Sequence, residues 1–415
     1  MPRSSFLICH LIGRWKLKEC SATCEIRSVD QLNVWWDHYS DSTVSCMIKK
    51  RVKKLESNFV STSSYTADHF DIVRTPLCPS NKMTPYYLEN FDATTLWYDA
   101  IQSEHILRLV CPKLRNFERE IKNGVFCINN KKVDRVKIER FRRTDIISMQ
   151  TPAPITSLKF SSKHIKVKSE VSRTDDNLTK DKNCAIIINK NNNLDWIKYF
   201  VKWHVKYHNL QCLVILDNNS SAYTNEDIKQ TLKQTGLSSL VILNLPFLFG
   251  PASLGKPYHN RELFLQSSAY NIAKFRFLKN ARAVLCCDID ELVLPCKTTV
   301  FDETIMSRHG FLRFLGQYRF HNFESEKNVC HESSLYKNGE KNSPEKWCID
   351  PKGKYADYSW STHGLEKLLF ERRFLTKKVN YIHCVNVTTG WKGKRKQPSD
   401  QLILDAKIKE LLDAV

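Results

Sequence analysis

Between residues 184 and 294 the chain alternates short apolar runs with amphipathic stretches, and this alternation constrains the fold more than any other feature of the sequence. "CAIII" (184–188), "CLVIL" (212–216), "SLVILN" (239–244) and "AVLCC" (283–287) are apolar runs, mostly β-branched or small, each too short for a helix and bounded by polar residues. Between the first two lies "LDWIKYFVKWHVKYH" (194–208), with Trp196, Phe200, Trp203 and Tyr207 at helical spacing. Between the next two lies "EDIKQTLKQTG", which Thr224 and Asp227 cap at its start and Gly236 closes. Residues 262–280 read as a further helix. Strands buried on both faces and joined by helices predict an α/β fold, with a mostly parallel sheet covered on both sides.

The fourth run stops at "DIDELVL", which places Asp288, Asp290 and Glu291 within four positions. In open parallel sheets, ligands collect beyond the carboxyl ends of the strands. The second run also ends in an acid, Asp217, so the acids fall on one rim. On an extended chain Asp288 and Asp290 share a side, Ile289 returns to the core, and Glu291 points away as a structural acid. Two adjacent carboxylates repel unless a cation lies between them. A hard divalent cation with oxygen ligands meets that need and leaves positions for phosphate oxygens. The competing reading is a turn whose acids are solvated.

Charge adds a second constraint. Lys and Arg number 64 against 44 Asp and Glu, a net +20, which favours polyanionic partners: nucleic acid, an anionic membrane face or phosphorylated substrates. The basic residues are scattered, with no single stripe to track a nucleic-acid backbone. The 15 cysteines include no CxxC pair; Cys20 and Cys24 stand four apart without a second pair at zinc distance. Cys184, Cys212, Cys286 and Cys287 lie in apolar runs and read as small buried hydrophobes. No stretch of 18 apolar residues occurs, and "MPRSSFLICHLIGRW", interrupted by His10, is a poor signal peptide. Sequons at Asn177, Asn218, Asn219 and Asn386 matter only in a secretory compartment.

Residues 1–150 read as a β-rich region of unassigned function, in which "GVFCINNKKVDRVKIERF" (124–141) alternates about Asn-Asn-Lys-Lys like a hairpin. Residues 151–183 read as a linker, polar above all in 169–183, followed by an α/β domain over 184–396 and a C-terminal helix over 397–415.

Four ordered segments now resemble a family. "FVKWHVKYHNLQCLVILDNNS" (200–220), "LPFLFGP" (245–251), a following helix with Gln266, and "VLCCDIDELVL" (284–294) are similar to the motifs of GT-A fold glycosyltransferases, in their family-2-like and family-92-like branch. The resemblance covers about 184–395. Leu216 stands where the family has tyrosine, and Leu245-Pro246 where it has Trp-Pro. The resemblance implies a GT-A domain that moves a sugar from a UDP- or GDP-sugar to a glycan, glycoprotein or glycolipid acceptor. It implies that Asp217 and Asn219 meet the nucleotide, and that Asp288 and Asp290 hold Mn2+ or Mg2+ against the diphosphate, with His383 as a late metal ligand. Lys392, Lys394 and Arg395 in "GWKGKRK" would meet the phosphates. For the catalytic acid–base role Asp290, Glu332, Asp357, Glu366 and Glu371 are candidates, and His363 is a candidate for the acceptor side. In a eukaryotic cell the family implies the Golgi or another secretory lumen, and otherwise the cytoplasm; membrane association would need an anchor that the start of the chain does not clearly supply. Two other classes compete: a metal-dependent nuclease or phosphohydrolase, which would use the net charge to hold nucleic acid, and a non-catalytic basic binding protein.

Overall fold

Nine strands form the main sheet of the computed structural model, which describes residues 54–67, 72–151, 154–252, 258, 260–321, 329–339, 342–389 and 402–415. They are β1 (Glu56–Val60), β2 (Asn183–Asn189), β3 (Cys212–Asp217), β4 (Ser239–Asn244), β5 (Ala283–Cys286), β6 (Glu291–Val293), β7 (Phe311–Arg319), β8 (Asn342–Ile349) and β9 (Leu375–Cys384). Their spatial order is β1-β4-β3-β2-β5-β8-β7-β9-β6. The first five in this order are all parallel, so the four apolar runs are four adjacent strands. β8 is antiparallel to both β5 and β7, β9 runs parallel to β7, and β6 closes the edge antiparallel to β9. The chain divides into two units, Met1–Lys54 and Leu55–Val415, and all nine strands belong to the second.

Successive side chains of a strand face opposite ways, and the two resulting layers are both filled. Ile187, Ile215 and Leu285 pack with Phe200 and Trp203; Ile186, Val214 and Val284 pack with Tyr270 and Phe277. The helices supplying this cover follow from local signals. In chain order they are α1 (Pro85–Asn90), α2 (Leu194–His208), α3 (Asn225–Leu232), α4 (Phe264–Ala273), α5 (Val300–Met306) and α6 (Ala406–Asp413). Asn193 caps the start of α2 through the Asp195 amide, and Asn209 ends it in the left-handed conformation. The Thr224–Asp227 capping box forms at α3, and Gly236 beyond it takes φ +83°. α4 ends earlier than its pattern predicts, passing into a π-helical turn over Lys274–Leu278.

Residues 95–173 contribute two smaller sheets around a third core that includes Leu107, Leu109, Phe126 and Phe160. The expected hairpin over 124–141 forms only at its start: Val125–Ile128 pairs with Lys131–Lys132 about Asn129 and Asn130, both at positive φ as a type I′ turn requires, whereas Lys137–Arg140 pairs instead with Thr144–Gln150 in the other small sheet. The polar stretch 169–183 is packed, and its polar groups explain why. Ser172 donates to buried Asp99 at 2.8 Å, Thr179 to the carbonyl of Phe277, and the Asp175 amide to the carbonyl of Arg276 at 2.7 Å. Among the described residues, no helix is long and apolar enough to cross a membrane, and the cysteines are free, most of them buried.

Candidate active site

The carboxyl ends of the parallel strands open into a cleft of about 440 Å3. Ile188, Lys190 and Asn192 line it beyond β2, Asn218 beyond β3, and Asp288–Glu291 beyond β5. Lys346 of β8, His383 of β9, Gln266 of α4 and His363 complete the wall relevant to chemistry.

The acid knot differs from its expected geometry in one respect. Asp288–Glu291 is a tight turn: the Glu291 amide donates to the Asp288 carbonyl at 3.1 Å, and the Asp288 amide to Glu291 Oε2 at 2.8 Å. Glu291 therefore turns back toward both aspartates, and one carboxylate oxygen from each acid lies within 4.8 Å of the other two. The expectation that Glu291 points away assumed an extended chain, and the turn removes that assumption. Ile289 does enter the core, at 5% exposure.

Two internal cations answer the repulsion. Buried Lys346 places Nζ 2.5 Å from Asp288 Oδ2 and 2.8 Å from Glu291 Oε2. Burial works against its charge, but the two carboxylates hold its pKa well above the ordinary lysine value. His383 lies directly opposite Glu291 in the β6–β9 pairing. Its Nε2 is 3.2 Å from Asp290 Oδ2 and its Nδ1 3.3 Å from Glu291 Oε1. Burial would lower its pKa, yet Asp290 and Glu291 raise it to about 10, so without a metal the ring is an imidazolium at neutral pH. Glu291 is fully enclosed, and Lys346 and His383 more than offset its burial, keeping its carboxyl below the ordinary value.

Two residues along the same strand, the sequence WHVKYH of α2 meets Val293. Trp203 Nε1 donates to the Val293 carbonyl at 2.6 Å, and His208 Nε2 bonds to the same oxygen at 2.9 Å. His204 Nε2 accepts from the Val293 amide at 3.4 Å, and His208 Nδ1 accepts from the Val300 amide at 3.2 Å. These partners assign the proton to Nδ1 of His204, which bonds the Phe200 carbonyl, and to Nε2 of His208. Burial depresses both rings, to about 3 and about 4. A third enclosed ring, His331, bonds the Ile289 carbonyl at 2.8 Å and stacks on Tyr199 of α2. One helix thus fixes the strand after the acid turn directly and supports the turn itself through His331.

The other predicted residues are distributed unevenly. Asp217 is buried and committed to its own loop, accepting from Asn189 Nδ2 at 2.6 Å, Ser220 Oγ at 2.7 Å and the Ser220 amide at 2.9 Å. Asn219 is exposed in a left-handed turn at φ +58°. It is Asn218 that reaches the cleft, anchored through Nδ2 to the carbonyls of Leu245 and Phe247. Of the acid–base candidates Asp290 lines the cleft, and the other four lie elsewhere: Glu332 and Asp357 are exposed, Glu366 is half-buried, and Glu371 pairs with Arg313 at 2.8 Å. Glu332, Asp357 and Glu366 stand on connecting loops and Glu371 opens a short 3-10 helix, placements the spacing could not reveal, so none of the four joins the acids that line the cleft. Among the described residues those acids are Asp288, Asp290 and Glu291. His363 does line the cleft, with Nδ1 bonded to the Glu345 carbonyl at 3.0 Å. Lys392, Lys394 and Arg395 lie outside the described residues. Lys346 was not singled out from the sequence; its one signal is a lone ammonium in the otherwise apolar end of "NSPEKWCI".

No protein-family model and no curated protein matches the chain. Several solved structures are partly similar. Staphylococcus aureus TarS 1–349 in complex with UDP is 17% identical, with TM-score 0.23 over 34% of this chain and 37% of that one. The mannosyltransferase PcManGT from Pyrobaculum calidifontis, in complex with GDP-Man and Mn2+, is 13% identical, with TM-score 0.26 over 51% and 59%. The mannosyltransferase Ktr4p from Saccharomyces cerevisiae, in complex with GDP, is 12% identical, with TM-score 0.24 over 44% and 62%. The chain spans between about a third and three fifths of the length of these structures. The functional reading therefore rests on the cleft itself.

Proposed function

We propose that this chain is a metal-dependent glycosyltransferase of GT-A type, transferring a sugar from a UDP- or GDP-sugar to a carbohydrate-bearing acceptor. The observation that carries this reading is the charge balance of the acid turn at the carboxyl ends of the parallel strands. Three carboxylates face one ammonium, Lys346, and one exchangeable proton, on His383. Once that proton leaves, the four groups sum to minus two, which one divalent cation cancels. The donor set fits such an ion: carboxylate oxygens of Asp288 and Asp290, with the deprotonated Nε2 of His383, are ligands that Mn2+ accepts. Glu291 is occupied by Lys346, the Asp288 amide and His383, so it orients the others.

A bound cation would supply charge against the diphosphate as the sugar departs. The chain's own contribution is orientation and proton transfer. Lys190 lines the cleft from the end of β2, where its cation would favour a diphosphate. Asn218, its Nδ2 spent on the carbonyls of Leu245 and Phe247, shapes the cleft wall beyond β3 where a nucleotide would lie. For inversion at the anomeric carbon, an acceptor hydroxyl must lose its proton. His363 is placed for this: with Nδ1 donating to Glu345, Nε2 is the basic nitrogen. A nuclease or phosphohydrolase reading draws on the same acids and has no further feature in the cleft to support it.

Calorimetry with UDP and GDP, with and without Mn2+, tests the proposal on the wild type and on Asp290→Ala. Binding that requires Mn2+ and disappears in the variant is expected. Equal affinity without the metal, or equal affinity in the variant, would overturn the reading. In turnover assays His363→Asn should lower kcat by about 10²–10⁴-fold with unchanged nucleotide affinity.

A further inference from the structure

The segment "KLLFERRFLTKK" (367–378) begins four residues after His363, which with Thr362 lines the cleft, and it has a construction the proposed chemistry does not use. Leu369 and Phe370 are 75% and 68% exposed, the two highest values among the large hydrophobic side chains of the described residues. Isolated exposed apolar residues are ordinary, but two adjacent ones at this exposure form a protruding apolar tip. The backbone sustains it at a cost: Lys367 (φ +63°) and Phe370 (φ +56°) are both left-handed, an unfavourable conformation for side chains of this size. Leu368 turns inward at 8% exposure while Leu369 turns out.

The tip does not stand alone. Phe374 packs its ring 5.1 Å from that of His309, and Lys378 lies 3.7 Å from Glu303 of α5. These contacts bring the end of α5, with Met306 at 64% exposure and exposed Arg308, against the same segment. Lys367, Arg372 and Arg373 flank the apolar tip in sequence and Lys377 and Lys378 follow on β9; all five are exposed, with Lys367 over the Phe141 ring at 4.7 Å and Lys378 paired with Glu303. The one acid within the segment, Glu371, is spent on Arg313 at 2.8 Å. Arg373 lies over the Phe370 ring at 4.7 Å, joining cation and apolar surface in one unit.

We infer that residues 367–378, with the end of α5, form an interfacial membrane-docking surface selective for anionic lipid. The combination decides against the other polyanion: nucleic acid would satisfy the exposed cations, Arg372 and Arg373 foremost, but has no acyl layer to take up Leu369 and Phe370, whereas the headgroup–acyl boundary accommodates both. Docking at this tip sets a bilayer beside the segment that carries Thr362 and His363, a placement suited to an acceptor displayed at a lipid surface. The inference goes beyond the glycosyl-transfer reading, and its test needs no substrate.

The experiment is flotation of the full chain with vesicles of phosphatidylcholine alone and of phosphatidylcholine with about 30% phosphatidylserine. Strong preference for the anionic vesicles is expected. Arg372→Gln/Arg373→Gln should weaken partition about 25-fold, from roughly fivefold per cation. Leu369→Ser/Phe370→Ser should weaken it about tenfold or more. Thermal melting and circular dichroism matching the wild type confirm that each variant is folded. Equal binding to neutral and anionic vesicles, no binding to either, or folded variants that float like the wild type would overturn the inference. So would retention of the chain by single-stranded RNA, dependent on the same arginines, without vesicle binding.

Discussion

At one end of β6, His383 sits between Asp290 and Glu291 and is raised to about 10. Two residues along, at Val293, His204 and His208 sit among apolar side chains, bond only to backbone, and are depressed to about 3 and about 4. The same side chain, set against one short strand from β9 and from α2, is a cation at the cleft and a neutral clamp behind it. What separates them is the presence of carboxylates within hydrogen-bond distance; all three rings are buried. The comparison teaches that the cleft histidine carries a charge set by its two carboxylates, the charge that the proposed metal would replace, whereas the clamp histidines hold position only while uncharged.

The largest expected effect exposes both ends through pH. Below about pH 6.5 the unfolded chain protonates His204 and His208 while the folded chain refuses, so stability falls toward pH 4 by about 3 kcal/mol per histidine. His383 acts with the opposite sign. Its contribution is complete below pH 6.5 and is lost as pH rises toward 10, because folding then has to take up a proton. Urea denaturation at pH 5, 7 and 9 in chelator should show both limbs. His383→Gln should flatten the alkaline limb alone, and His208→Gln should reduce the acid limb alone. A shared response to both substitutions would break the comparison.

Next in size, Lys346→Met strands Asp288 and enclosed Glu291 without their cation and should cost about 3–5 kcal/mol at pH 7, recovered in part as pH falls and Glu291 protonates. Urea midpoints across the same pH series measure it, and Mn2+ in millimolar excess should restore part of the loss. The smallest effect sharpens the distinction. Trp203→Phe keeps the aromatic packing but removes one bond to the Val293 carbonyl, and should cost about 1–2 kcal/mol in thermal melting with the alkaline limb unchanged.

The strand–helix alternation was legible because each element carries its own period and its own stop: Asn209, Gly236 and the Thr224–Asp227 box each lie where a boundary occurs. The acid rim was legible for the same reason, since β5 ends where its apolar run ends. Direction within the turn was not. Asp-Ile-Asp-Glu reads equally as strand or turn, and the Asp288 amide bonding back to Glu291 decides it. Lys346 was hidden because it arrives on an antiparallel strand 58 residues after Asp288, where only tertiary pairing brings the two together. Asp217 sits at the right strand end, but three polar hydrogens from Asn189 and Ser220 absorb its carboxylate, and the neighbouring Asn218 takes the wall.

The outermost strand of the main sheet carries a consequence for how the protein is made. Among the described residues β1 finds its only sheet neighbour in β4, pairing Glu56 with Ser239. A ribosome adding about 5–20 residues per second reaches that partner roughly 10–40 s after β1 has been synthesised. During that interval Glu56–Val60 has no native edge to join, so nascent chains halted before residue 239 should leave this strand open to protease, and chains released beyond residue 244 should close it.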